Sequence, residues 1–245
     1  MPDHDTTHST PGPLLSNRFL SVATAVIAVL ALSSLAISFA GKHYGHQLAL
    51  ANHSDSTTPI KVAIGRDVLT LPENTLRFAV QRVSKAHEQV DLYLSWPEMR
   101  GYEDALRSRF NSTHPAGIVF LQISQSTMTR DMSGRLDPIY RQLLGPGVTQ
   151  GPGGLEERHF LPGTGYEGEV LLTGTDKAGH VYAVRCLDPA RGSAPTSSDC
   201  QRDIHLGRDM SVLYRFPRNI LHDWENLESA IRTYIQSRLS PATSS

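Results

Sequence analysis

Two polar stretches hold the side chains best suited to chemistry. The first, residues 125–135, carries Ser126, Thr127, Thr129, Arg130, Asp131, Ser133 and Arg135. The second, residues 201–208, carries Arg202, Asp203, His205 and Arg208. A guanidinium is a planar fork of donors that meets a carboxylate or phosphate at two points, so these arginines suit anion recognition. Asp131, Asp203 and His205 suit a different chemistry. Gathered in one pocket with shifted pKa values, they could carry out a hydrolysis. A plainer reading competes with both: arginine and aspartate in such company pair with each other and fix their own loops. The stretches therefore form a candidate polar site without a catalytic assignment.

Other signatures of chemistry are missing. Eleven histidines raise the question of a metal. His43, His46 and His53 fall where the chain reads as a flexible stalk, whereas a metal needs ligands held in fixed geometry. The other histidines are scattered, and none completes His-Glu-x-x-His or a Cys–His set. No metal or other cofactor is expected. There is no Gly-x-Ser-x-Gly elbow and no Ser-x-x-Lys. The glycine-rich run 145–154 lacks a Gly-Lys-Ser/Thr ending, and its prolines remove amide donors that a phosphate would need, so it reads as a loop. Cys186 and Cys200 are too far apart for a Cys-x-x-Cys redox pair. The Pro, Gly, Ser and Asp residues between them suit a disulfide, with two buried free thiols as the alternative. The 23 basic and 24 acidic residues are well mixed, which argues against a nucleic-acid partner.

The elements that must position these residues follow from hydrophobic period. Val90, Leu92, Leu94 and Trp96 share one parity and mark a half-buried strand. Val68 to Leu71 is a shorter strand stopped by Pro72, and Leu76 to Arg82 alternates well enough for another. Ile118 to Leu121 is apolar on both parities, as in a strand buried on both faces. Tyr102 to Phe110 favours a short helix. Asp137 to Leu144 favours another, with Asp137 as cap and Pro138 at the first position. Strand-like runs at 155–160, 169–172, 181–186, 201–206 and 210–216, separated by turn residues, predict an antiparallel meander. The cysteines would join two neighbouring strands of it. Ile220, Trp224, Leu227, Ile231, Ile235 and Leu239 form one apolar stripe of a C-terminal helix with Asn219 as cap. The fold class is α+β: a largely antiparallel sheet with that amphipathic helix packed on one face.

A transmembrane helix precedes the domain. Phe19 to Ala40 is uncharged, and its 22 residues rise about 33 Å, enough for a hydrocarbon core of about 30 Å. A cleaved signal competes, but its apolar region would span only about 7–15 residues. Arg18 and Lys42 nearly balance across the span. The size of the C-terminal part and the expected disulfide favour export, because disulfides persist outside the reducing cytosol. The expected organisation is a cytoplasmic tail (1–18), a membrane helix (19–40), a linker (41–59) and a periplasmic domain (60–240) of the cell inner membrane.

Three longer strings add a likeness. They are Val90 to Met99 (VDLYLSWPEM), Gly117 to Tyr140 (GIVFLQISQSTMTRDMSGRLDPIY) and Cys200 to Phe216 (CQRDIHLGRDMSVLYRF). Together the chain resembles an uncharacterised family of alphaproteobacterial membrane-anchored proteins, rhizobial ones among them. The resemblance implies an inner-membrane anchor with a periplasmic domain, and it implies no activity and no site residue. The combined expectation is a non-enzymatic interaction module with an envelope protein partner. An anchored hydrolase or a small-anion sensor is the alternative.

Overall fold

The computed structural model describes residues 17–50, 52–112, 117–192 and 194–241. The chain divides into two units, 1–51 and 52–245. The described part of the first unit is helix α1 (Asn17–Ala49) with the turn that follows it. Its stretch Arg18–Phe39, of mean hydropathy 2.4, is long and apolar enough to cross a membrane. The helix continues to Ala49, so the first part of the expected linker is helical rather than irregular. No proline interrupts the sequence between Pro13 and Pro59, and a helix already nucleated extends at low cost. The expected tail lies outside the described residues up to 16, and so do the side chains of His43 and His46.

Among the described residues the second unit holds two sheets. Strands β1 (Pro59–Ile64), β2 (Asp67–Pro72) and β3 (Lys85–Ala86) form a small sheet in the order β2-β1-β3. Eight further strands form the large sheet: β4 (Gln89–Ser95), β5 (Ile118–Gln125), β6 (Thr149–Gln150), β7 (Glu156–His159), β8 (Glu169–Thr175), β9 (Val181–Leu187), β10 (Cys200–Leu206) and β11 (Met210–Phe216). Their order is β4-β5-β11-β10-β9-β8-β7-β6, with every neighbour antiparallel. β7 to β11 are the expected meander, and the alternating residues of β4 and β11 set one buried face. Short helices α2 (Arg107–Phe110) and α3 (Arg141–Leu143) lie in connections, and α4 (Trp224–Gln236) follows the last strand. Disulfide Cys186–Cys200 joins directly paired residues of β9 and β10.

Alternation decides what packs where. Leu92, Leu121, Val184, Val212 and Phe216 point to one face, where they meet Leu227, Ile231 and Ile235 of α4 and Val62, Leu69 and Leu71 of the small sheet. Each such side chain contributes about 1.5–3 kcal/mol on burial. On the opposite face Leu171 and Ala183 lie under Met132, Tyr140 and Phe160. Asp67 Oδ2 accepts the backbone N–H groups of Arg208 (2.8 Å) and Asp209 (3.2 Å), while Asp209 Oδ1 accepts that of Arg66 (3.4 Å). The β1–β2 and β10–β11 turns thus clasp each other.

Four local expectations need correction. Leu76 to Arg82 makes no strand beyond a bridge from Leu76 to Leu92. Gln81 Oε1 instead accepts the Asp91 N–H (2.9 Å), and the Arg82 guanidinium takes the Leu76 carbonyl (3.1 Å), so side chains close the edge of β4. Asp137 is no N-cap, because the helical run starts at Ser133, and its carboxylate pairs with Arg141 one turn on (2.6 Å). Asn219 lies inside a 3-10 turn, Arg218–Asp223, and α4 starts only after Asp223. The run 145–154 is not wholly loop: it contributes edge strand β6.

Candidate functional site: a polar seam in the large sheet

β9 and β10 pair over only part of their length. Each has seven residues. They pair only at Cys200↔Cys186 and Gln201↔Arg185, whereas β10 and β11 pair along their whole length. Beyond the disulfide the two strands part, and Arg202, the next residue of β10, enters the opening. Its Nη1 donates to the Ala183 carbonyl of β9 (2.8 Å) and to Ser133 Oγ (2.7 Å). Its Nε and Nη2 reach the two oxygens of Glu228 on α4 (3.0 and 3.2 Å). A guanidinium thus supplies donors where the neighbouring strand no longer does. On the other side of the opening the Met132 N–H reaches the Asp203 carbonyl (3.5 Å).

Glu228 is the hub of the seam. It also accepts from Arg232 Nε and Nη2 (2.9 and 2.7 Å) and from the Tyr214 hydroxyl. Burial opposes its charge, but Arg202, Tyr214 and Arg232 together outweigh burial and hold the carboxyl below its ordinary pKa. Burial likewise opposes the Arg202 charge, and Tyr214 and Glu228 reverse that, so its pKa lies above the ordinary value. Burial, with Tyr182 and Glu228 beside it, pushes the Tyr214 hydroxyl well up. The Arg202 guanidinium lies over the Tyr182 ring (4.5 Å), and Tyr182 packs on Trp224 (4.3 Å). A groove of about 730 Å³ opens beside this network, between α4 and the β8–β9 turn, with Asp131, Lys177 and Ser229 on its walls.

The seam gathers some predicted residues and scatters others. Arg202 and Asp131 line one groove, and the Asp131 carboxylate accepts the Gly134 N–H (2.9 Å). Arg130 is exposed beside the Gly134 carbonyl. Asp203, one residue on from Arg202, faces the other way, as alternation along a strand requires, and pairs with Arg135. His205 shares that face and contacts Ser126 Oγ through Nε2 (3.0 Å). Arg208 sits in the clasped turn. Asp131 lines the groove, and Asp203 and His205 are not among its lining residues. The Ser126–His205 pair has a nearby carboxylate in Asp203, but Arg135 occupies it. Sequence reasoning missed Glu228, Arg232 and Tyr182. The i, i+4 spacing of Glu228 and Arg232 was the available signal.

His53 corrects the picture of a loose stalk. It stacks on Tyr102 (4.5 Å between ring centroids). Its Nδ1 meets the Tyr93 hydroxyl and its Nε2 meets Asn111 Oδ1, both at 3.0 Å. Ser54 is buried next to it. The aromatic pocket of Tyr93, Tyr102 and Phe110 was not legible as a partner for 53–54 from local pattern. Among the described residues no group of three or more His, Cys, Asp or Glu side chains could hold a metal ion.

No family model matches this sequence, and no curated protein matches it. Solved structures do match. One is an immunity protein of the Stenotrophomonas maltophilia type IV secretion system, with 17% identity, a TM-score of 0.52, and coverage of 77% of this chain and 96% of that one. Another is the Neisseria meningitidis iron-regulated outer membrane lipoprotein FrpD, with 8% identity, a TM-score of 0.45, and coverage of 76% and 94%. The first shares the fold. The second likeness is too loose to carry an argument.

Proposed function

We propose that this protein is a membrane-tethered binding module of the cell envelope. In this reading α1 anchors it in the inner membrane and the 52–245 domain lies in the periplasm, where it binds a partner protein. One observation carries the reading: the domain has the fold of a secretion-system immunity protein over 96% of that protein's length. The disulfide supports the periplasmic side, since such a bond is kept in an oxidising compartment. The chemistry of the seam supports binding over catalysis. Its buried charges are saturated by one another, which makes a rigid wall rather than a poised reactive group.

In-cell crosslinking of the tagged full-length protein, followed by mass spectrometry, tests this. The expected outcome is one recurrent envelope protein in near-stoichiometric yield. Expressed and exported protein that captures no partner would overturn the reading.

A further inference from the structure

The second face of the large sheet is covered over only part of its width. Leu171 and Ala183, on β8 and β9, lie under the Met132–Leu144 segment. The same row continues through Arg185, Gln201 and Arg215 to Phe120 on β5. There Phe120, Gln122 and Leu213 remain half-buried and Arg215 is exposed. Beside them the Arg77 guanidinium lies 5.2 Å from the Phe78 ring centroid and 5.0 Å from that of Phe120. Phe78 is 44% exposed and Val80 is 79% exposed. A recess of about 40 Å³ lies among Arg77, Asp91, Phe120, Gln122, Leu213 and Arg215. That is room for one small polar group.

The charges say what fits. Among the described residues neither Arg77 nor Arg215 has a carboxylate within ion-pair distance. The Asp91 carboxylate is occupied by the amides of Gln81 (2.9 Å) and Gln89 (3.0 and 3.1 Å). Arginine placed over aromatic rings beside exposed apolar side chains is the composition of a binding hot spot. Resting on the partner-binding reading above, we propose that this bare face is the docking surface for a protein partner. The partner presents an aspartate or glutamate to Arg77 and Arg215 and covers Phe78, Val80 and Phe120 with apolar side chains.

The test places a photo-crosslinking residue in the full-length protein, in the cells that make it, at Phe78 or Gln122. Lys177 and Ser229 in the seam groove serve as comparison positions. One protein captured from Phe78 and Gln122, through a peptide containing Asp or Glu, is expected. Arg77→Glu and Arg215→Glu should each lower its yield about ten-fold or more while the Tm stays the same. Reversing the partner's acidic residue to Lys should restore capture by the Glu variants. Capture from Lys177 or Ser229 alone, a second copy of this chain or a lipid at Phe78, or undiminished capture by the Glu variants overturns the docking surface and leaves partner binding standing. No capture from any position overturns both.

Discussion

Glu228 shows how much can rest on one side chain. Two arginines and a tyrosine converge on a carboxylate that is only 14% exposed. Breaking such a buried pair leaves a guanidinium uncompensated, at a cost of about 3–5 kcal/mol. Glu228→Ala should therefore lower the Tm by about 6–20 °C, at about 2–4 °C per kcal/mol for a domain of this size. Replacing Arg202 and Glu228 together by Met and Leu should recover part of that loss: the desolvation cost disappears with the pair, while the Ala183 carbonyl and the Tyr214 hydroxyl lose their partners. Chemical denaturation of the two variants and the parent decides it. The pH dependence carries the same sign logic. The Glu228 carboxyl is depressed in the folded state, so its contribution is complete above the unfolded value and is lost as the pH falls through the folded one. Tyr93 runs the other way. Burial, opposed by Arg82, lifts its hydroxyl to about 12. That contribution is complete below the ordinary tyrosine value of about 10 and is lost as the pH rises through the folded one. An alkaline titration followed by tyrosinate absorbance should show Tyr93→Phe removing a late-titrating group.

Strands and turns are where the disulfide and the clasped hairpins act. Cys186 and Cys200 close the sheet at the point where β9 and β10 begin to part. Replacing both by Ser should cost about 2–4 kcal/mol. Hydrogen exchange should rise first in β9 and β10, while β4 and β5 stay protected. Equal exchange throughout the sheet would mean that the seam network alone holds the opening. Gly207 sits at φ +67 with the Asp67 carboxylate 2.7 Å from where a Cβ would be. Gly207→Ala should lower stability by more than about 1 kcal/mol and loosen the small sheet, read as a Tm drop with faster exchange in β1 and β2. These elements were largely legible in the sequence. Period-2 runs predicted β4 and the meander, and the apolar stripe predicted α4. What failed were the ends. Asp137 and Asn219 have capping side chains, yet the chain enters each helix through earlier turns. Leu76 to Arg82 alternates, but Gln81 and Arg82 use side chains to end the sheet there.

At the scale of the whole molecule, two units share one chain. Apolar length makes the first legible as a helix long enough to cross a membrane, and alternation makes the second legible as an α+β domain. The candidate site was less legible, since the seam joins Ser133, Arg202 and Glu228 across 69 and 26 residues of chain, and local pattern carries no record of such distance. The 52–245 unit has its own core and should fold without the helix. Produced alone in an oxidising compartment, it should unfold in one cooperative transition by circular dichroism. A broad or multi-step transition would show that α1 is part of the fold.

The strand order has a consequence in time. A ribosome delivers the chain from its N-terminus, so β4 and β5 emerge as a pair whose second edge has no mate. That mate is β11, which pairs Gln125 with Met210 and Phe120 with Arg215. Everything between must be synthesised first, and contacts so distant in sequence form slowly. For that interval the β5 edge offers unpaired amides and carbonyls to any passing strand. A nascent chain of this protein is therefore expected to need protection of that edge until its last strand arrives.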